Sequence, residues 1–461
     1  VFIFTTIVRL VLLHMLAILG RAFVRRRTSD AAPARVLLIK PDHLGDVLLA
    51  TPAIRSLRQQ YPQAFLVVLA GPWSRPLLAD NPDKDVLMTL RFPGFDRGAS
   101  KSSLFAPYGL LVYYAMLLRA GRFDSALLLR DDHWWGAALA LLAGIPHRHG
   151  YAVPACKPLL TTALPWNPRT HVTRQALALV QDFVGKPYPN AGSAGGSPAP
   201  GSKGLAPPNP YRITQPTSTN RVVQSAKGGQ ATTVSTEDCE QFPLVYTPPA
   251  DDQTWVQTWL QTHTTSSTRG SGARRLVVLH PGTGGHTKLW PNARWAAVAN
   301  RLVAQYGVQI VLTGGPGEEE LVQQLASLLS IPPVVLAGTL SIGQLTALLG
   351  MATLVMGVDS GPLHLAVSQQ TPTLHLYGAS DAQRFGPWGV ASRHVVVQAH
   401  LWCSPCGVFD ACPRQTNPPE CMDALTVEQV VQVASRLLEE WKMENAACSM
   451  QNAGQPGSRP D

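Results

Sequence analysis

Three times along this chain an aliphatic, β-rich run ends in glycine beside an acid or a lysine and then turns into a helical pattern, and this repeated transition constrains the fold most. The clearest case is Val355-Met-Gly-Val-Asp-Ser-Gly-Pro-Leu-His364, where an apolar strand runs straight into an acid, a hydroxyl, a glycine and a histidine. In an open α/β sheet the ligand crevice lies outside the carboxyl ends of the strands, and a helix starting there offers free N–H groups to an anion. Ser360 and Gly361 fall at such a helix start, Asp359 faces the ligand, and His364 lies in the first turn. Taken alone, Asp359 or Ser360 reads equally well as a helix N-cap.

The second transition is Leu276-Val-Val-Leu-His-Pro-Gly-Thr-Gly-Gly-His-Thr-Lys-Leu-Trp-Pro291, a strand opening into a glycine loop, then Lys288, then a helix near Pro291. Backbone amides of such a loop form an anion-binding concavity to which Lys288 adds a full charge. It is not a Walker A loop, because Thr287 stands where that motif needs glycine before the lysine. The third, Arg35-Val-Leu-Leu-Ile-Lys-Pro-Asp-His-Leu-Gly-Asp-Val-Leu-Leu-Ala-Thr-Pro-Ala53, passes through Gly45 into a helix and displays Asp46 at the sheet's carboxyl edge. Asp46 by itself reads more readily as a cap than as a catalyst.

Taken in order, His43-Leu-Gly-Asp-Val-Leu-Leu-Ala-Thr-Pro-Ala53, His280-Pro-Gly with Thr-Lys-Leu-Trp-Pro, Leu312-Thr-Gly-Gly-Pro-Gly-Glu318, Asp359-Ser-Gly-Pro-Leu-His364, and Tyr377-Gly-Ala-Ser-Asp381 with Gly386-Pro-Trp-Gly389 resemble glycosyltransferase family 9, the lipopolysaccharide heptosyltransferases. The resemblance covers Arg35 to about Arg91 and Leu276 to about Leu438, and is loose between them. It implies an α/β GT-B fold, two Rossmann-like domains facing across a cleft. The acceptor would bind the N-terminal domain and a nucleotide-sugar the C-terminal one.

The resemblance also implies an inverting single displacement that needs no divalent metal or other cofactor. Asp46 matches the family's catalytic base. Lys288, with Thr283 and Thr287 beside it, matches the phosphate loop; Ser360, Gly361 and His364 would meet the same diphosphate, and Asp359 would hold sugar hydroxyls. Glu318 or Glu319 is the candidate for the ribose diol, against the alternative of an ordinary acidic first helical turn. ADP-heptose is the donor the family implies, and a lipopolysaccharide core or related glycan the acceptor. Two departures bear on donor preference: Gly284-Gly285-His286 in the loop, and Val358 where many members carry Asn. A nucleotide-sugar epimerase of similar architecture and a non-catalytic nucleotide-sugar-binding membrane protein are the rival readings.

The formal charge of +9 points to an acidic partner, an anionic lipid or a phosphorylated glycan. Nucleic acid is disfavoured, since no zinc-finger spacing, RNP-like motif or long basic run is present. Residues 1–24 are almost wholly apolar, broken by Arg9, His14 and Arg21 and followed by Arg25-Arg26-Arg27. This pattern predicts a helix in or on the inner membrane that leaves the catalytic part on the cytoplasmic face. A cleaved signal peptide ending near Ala31-Ala-Pro-Ala34 is the competing reading, weakened by the lack of a basic n-region.

The expected organisation is a membrane-associated helix over 1–30, an acceptor-binding domain over 34–188, a low-complexity insertion and linker over 189–272, a nucleotide-sugar-binding domain over 273–440, and a disordered tail over 441–461. The insertion is expected to be disordered because its Gly, Ser, Pro, Thr and Asn bury too little apolar surface. Arg119, Arg122, Arg130 and Arg148 either meet acidic groups of the acceptor or, for most of them, solvate a surface. Cys403, Cys406, Cys412 and Cys421 cluster as a structural clip, thiol or metal-bound in a reducing compartment; Cys156, Cys239 and Cys448 look unpaired.

Overall fold

The computed structural model describes residues 2–24, 33–96, 106–185, 236–263 and 275–453. The N-terminal half is built in the order α1 (Phe2–Gly20), β1 (Arg35–Lys40), α2 (Leu44–Leu48), α3 (Thr51–Gln60), β2 (Phe65–Ala70), α4 (Arg75–Leu78), β3 (Val86–Thr89), α5 (Ala106–Ala120), β4 (Ser125–Leu128), α6 (Trp134–Leu142), β5 (His147–Tyr151), β6 (Thr162–Leu164) and α7 (Val172–Gly185). Two linking helices follow, α8 (Thr236–Gln241) and α9 (Ala250–His263). The C-terminal half comprises β7 (Leu276–His280), α10 (Asn292–Tyr306), β8 (Gln309–Gly314), α11 (Glu319–Ser327), β9 (Val334–Ala337), α12 (Ile342–Gly350), β10 (Leu354–Val358), α13 (Gly361–Ser368), β11 (Thr373–Tyr377), α14 (Ala382–Phe385), β12 (His394–Gln398), α15 (Glu420–Asp423) and α16 (Val427–Ala453).

Both sheets are six-stranded and parallel, with orders β3-β2-β1-β4-β5-β6 and β12-β11-β10-β7-β8-β9. Counted from its own first strand, each has the order 3-2-1-4-5-6 of the doubly wound nucleotide-binding fold. The order reverses between β1 and β4 in one sheet and between β7 and β10 in the other, so these are the positions where a crevice opens. The central strands are mostly apolar because helices cover both faces: β7, β10 and β11 are buried at every residue.

Local sequence sets the helices. In α3, Pro52 occupies the first turn, where its missing N–H costs nothing, and Ala53, Ile54 and Leu57 form the buried stripe. Ser341 and Gln344 close a capping box at the start of α12. Gly307 ends α10 in the left-handed region at φ 63°, a conformation glycine adopts without steric cost.

The two halves are in contact. His171 Nε2 lies 3.1 Å from the Gly386 carbonyl, Arg384 pairs with Asp131 at 2.5 Å, and an apolar cluster on the α3 and α7 side of the first sheet continues through Phe242 and Trp388 to Leu363.

Two expectations need correction. The stretch 189–272 is not structureless throughout: α8 and α9 lie within it, Val256 and Leu244 are buried, and Val245 N–H donates to Thr51 Oγ1 at 2.9 Å. Phe242, Leu244, Tyr246 and Trp259 supply the apolar surface that the composition of the whole stretch conceals. The tail expected from 441 is helical as far as Ala453, because α16 continues an unbroken helix-favouring run. The remainder of both stretches, with Arg25-Arg26-Arg27, lies outside the described residues. α1 is the expected apolar helix, but among the described residues no helix is long and apolar enough to cross a membrane.

Candidate active site

The two switch points face each other, and the site is assembled from both. Asp46 stands in the first turn of α2, just after β1, while α13 begins at Gly361, just after β10. The helices touch through their glycines: a Cβ on Gly45 would lie 3.2 Å from the Gly361 Cα and 3.3 Å from His364 Cδ2. Only the absence of side chains at both positions lets the two backbones come this close. Gly45→Val is therefore expected to wedge the halves apart and lower turnover by roughly 100-fold, since small misplacements of reacting groups cost that much. Steady-state kinetics with a folded variant checks this; unchanged turnover would show that the contact does not set the geometry.

Asp46 is not the cap it resembled, since His43 occupies the N-cap position. Burial pushes its pKa up, the neighbouring Asp42 and the facing Asp359 add to the rise, and Lys40 and Arg130 oppose it, leaving it at about 6. Behind it lies a buried charge cluster. Lys40 Nζ is 2.9 Å from Asp42, and Arg130 bridges Asp42 and Asp132. Burial alone would raise the Asp42 pKa, but Lys40 and Arg130 outweigh it and hold Asp42 ionised far below the usual carboxylate range.

These shifts give a pH prediction. A step in which Asp46 accepts a proton needs the carboxylate, so kcat/KM is expected to rise with pH through about 6 and level off above it. Lys40→Met removes a cation that favours the carboxylate and is expected to move this acid limb to higher pH. A limb that stays in place, or moves down, would separate it from Asp46.

Across the contact, Asp359 is the hub. Its Oδ2 accepts from Ser380 Oγ at 2.6 Å and from Lys288 Nζ at 3.2 Å, and its Oδ1 accepts from the Tyr377 hydroxyl at 3.2 Å. Its carbonyl accepts from Lys288 Nζ and Thr283 Oγ1, each at 3.0 Å. Burial acts to raise its pKa, but Lys288 and Ser380 prevail and hold it below the ordinary value. Lys288 also lies 5.0 Å from the Phe409 ring centroid.

Ser360 occupies the N-cap position of α13 but caps nothing: its Oγ is buried without a hydrogen-bond partner among the described residues, and so is His364 Nδ1. Both atoms are thereby left available to a further partner. Burial pushes the His364 pKa down to about 4, with Lys288 lowering it further and Asp359 opposing. At neutral pH His364 is thus a neutral imidazole, able to offer an N–H but not a charge.

The remaining expected residues separate. Thr287 is buried, and its hydroxyl donates to the Val408 carbonyl at 2.7 Å while its N–H donates to the Phe409 carbonyl at 3.3 Å. Thr287 thus ties the glycine loop to the cysteine-rich segment. Glu318 Oε2 accepts from the Gly315 N–H at 2.7 Å and lies 3.7 Å from His280 Nε2, its carboxylate filling the space above Gly282. It thus stands at the tips of β7 and β8, where a ribose diol could reach it. Glu319 accepts from the Gly317 N–H at 2.8 Å in the first turn of α11, the ordinary helix-start role.

Two of the four arginines weighed between acceptor and surface are engaged within the fold. Arg130 serves the Asp42 cluster, and Arg148 is buried with its guanidinium donating to the Leu159 and Ile145 carbonyls. Lys40, Asp42, Tyr377 and Ser380 were not singled out; only the Tyr377-Gly-Ala-Ser-Asp381 motif signalled the last two. Cys403, Cys406, Cys412 and Cys421 form no disulfide, nor does Cys239, while Cys448 lies outside the side chains described. Among the described residues no group of three or more His, Cys, Asp or Glu is placed to hold a metal ion.

Known proteins resemble this chain in sequence and in fold. The family model "Glycosyltransferase family 9 (heptosyltransferase)" matches residues 246–412. Lipopolysaccharide heptosyltransferase 3 of Escherichia coli is 28% identical over 347 residues, covering 75% of this chain and 83% of that protein. Lipopolysaccharide heptosyltransferase 2 of E. coli K12 is 25% identical over 355 residues, with the same shares covered. Among solved structures, the E. coli ADP-heptose lps heptosyltransferase II superposes with a TM-score of 0.58 at 20% identity, covering 88% of this chain and 99% of that one. A family 9 glycosyltransferase from Veillonella parvula superposes with a TM-score of 0.61 at 20% identity, covering 89% and 100%. These superpositions identify the two-domain arrangement as the GT-B fold.

Proposed function

Since the chain belongs to glycosyltransferase family 9, we propose that it transfers heptose from ADP-heptose, with inversion, to the lipopolysaccharide core or a related anionic, lipid-linked glycan. One observation carries this reading: the Gly45–Gly361 contact sets Asp46 across from the Lys288–Asp359 pair and from the unpaired Ser360 Oγ and His364 Nδ1. A base thus faces an anion grip, the arrangement a single displacement needs.

In that reaction an acceptor hydroxyl attacks the anomeric carbon and gives its proton to the Asp46 carboxylate. The bond between that carbon and the diphosphate oxygen breaks, and its electron pair leaves with the nucleoside diphosphate. Lys288, the Ser360 hydroxyl, the N–H groups at the start of α13 and the His364 N–H receive the growing charge in fixed positions, without reorganisation. Asp359, joined to Ser380 and Tyr377, is rigid enough to hold sugar hydroxyls, and Glu318 is the acceptor for the ribose diol. The relatives' names support the donor and acceptor class. The apolar outer face of α1 supports work at the cytoplasmic face of the inner membrane.

A panel of ADP-heptose and other ADP-, GDP- and UDP-sugars, each offered with and without a lipid-linked glycan extract, tests the proposal. Acceptor-dependent product from ADP-heptose is expected. Altered free sugar without acceptor would overturn it in favour of an epimerase, and binding without turnover in favour of a non-catalytic protein.

A further inference from the structure

α6 is buried from Trp135 to Leu141, although it lies on the outer layer of the first sheet, because α1 and α5 both pack upon it. The fit is close: a Cβ on Gly20 at the end of α1 would lie 2.6 Å from a Leu141 methyl. Having spent Leu13 and Ala17 of α1, and Leu111, Ala115 and Leu118 of α5, on this contact, the two helices still carry apolar side chains on the faces turned away. On α5 these are Tyr108, Val112 and Met116, one turn apart and 55%, 52% and 62% exposed. On α1 they include Leu12, Met15 and Leu19, 59%, 53% and 64% exposed. Apolar faces of this kind, on two helices that share one support in a folded domain, mark an interaction site.

The ends of the two helices are joined, since Arg119 Nη1 donates to the Phe23 carbonyl at 2.8 Å. There the apolar face acquires a basic rim: Arg21, Arg119 and Arg122 are exposed, and neither α1 nor α5 contains an acidic residue. We propose that α1 and α5 together form one docking surface for an anionic lipid bilayer, their apolar faces entering the acyl boundary and the arginines meeting headgroups. A second copy of the chain fits less well, because a twofold contact through the same face would set one cationic rim against another. The proposal deepens the reading of α1 as an interfacial helix by adding α5, a helix that takes no part in the cleft chemistry.

The test is co-flotation of the full chain with vesicles of phosphatidylcholine alone or mixed with phosphatidylglycerol, alongside turnover on a detergent-free, water-soluble acceptor fragment. Val112→Glu with Met116→Glu is expected to lower vesicle binding about ten-fold or more, from the apolar surface it withdraws, while melting temperature and soluble-acceptor turnover stay unchanged. Arg122→Asn, in which asparagine tolerates the positive φ of 49° there, is expected to lose about five-fold on anionic vesicles and nothing on neutral ones. Wild-type flotation by the doubly substituted chain would overturn the proposal. So would a lipid-free dimer that dissociates on this substitution with vesicle binding intact. Lost flotation in a protein whose wild type shows no sugar transfer would uphold the surface and reject the functional reading alone.

Discussion

Asp46→Asn is expected to lower kcat by about 1,000-fold while leaving donor affinity nearly unchanged, because the amide keeps the shape of the side chain but cannot take the acceptor's proton. Turnover assays paired with calorimetric titration of ADP-heptose separate the two quantities, and undiminished turnover would reject the base assignment. The same substitution is expected to stabilise the fold at neutral pH. The folded-state pKa of about 6 lies above the ordinary 3.8, so the native structure prefers the protonated acid. That preference contributes fully at low pH and is lost as pH rises through about 6, where the native state comes to hold a disfavoured charge. Removing the charge is worth at most about 2 kcal/mol, discounted for the partial exposure of the side chain. A melting temperature above wild type near pH 8, converging near pH 4, is the expected signature; a variant less stable than wild type at both would contradict it.

Lys288→Ala is expected to weaken nucleoside diphosphate binding roughly 10- to 100-fold, as loss of a charge-assisted hydrogen bond does, and to lower kcat by about 100-fold through the leaving group. It also strands Asp359, whose carboxylate loses the cation that offsets its burial. The melting temperature should fall, more at neutral than at acid pH, since protonation relieves the stranded charge. Isothermal titration with ADP and thermal unfolding at two pH values check both parts. Unchanged ADP affinity would remove Lys288 from the phosphate grip.

Much of this architecture is legible in the sequence. The central strands announce themselves as apolar runs because both their faces are covered: Leu276–His280 and Leu354–Val358 fall within a residue of where those runs place them. β5 did not, since His147-Arg-His-Gly-Tyr151 carries polar residues that tertiary contacts bury. α5 went unread for a different reason: it is apolar on nearly all sides and offers no amphipathic period. At the site, residues on the glycine corners were legible because local geometry implied their exposure to a ligand. The cluster of Lys40, Asp42 and Arg130 was not, because Asp42 and Arg130 stand 88 positions apart and meet only through the pairing of β1 with β4. The bond from Thr287 to the Val408 carbonyl was not legible either, because that partner comes from 121 residues away.

The Lys288–Asp359 bond bears on the order in which a donor is recognised. Before any nucleotide arrives, the ammonium group already has an anionic companion that holds it in place. On the proposed reading an incoming pyrophosphate therefore meets a stationary cation rather than recruiting a mobile one. A free sugar, bringing no phosphate, forgoes that contact, and the preference for nucleotide-linked over free sugars would begin at a single side-chain pair.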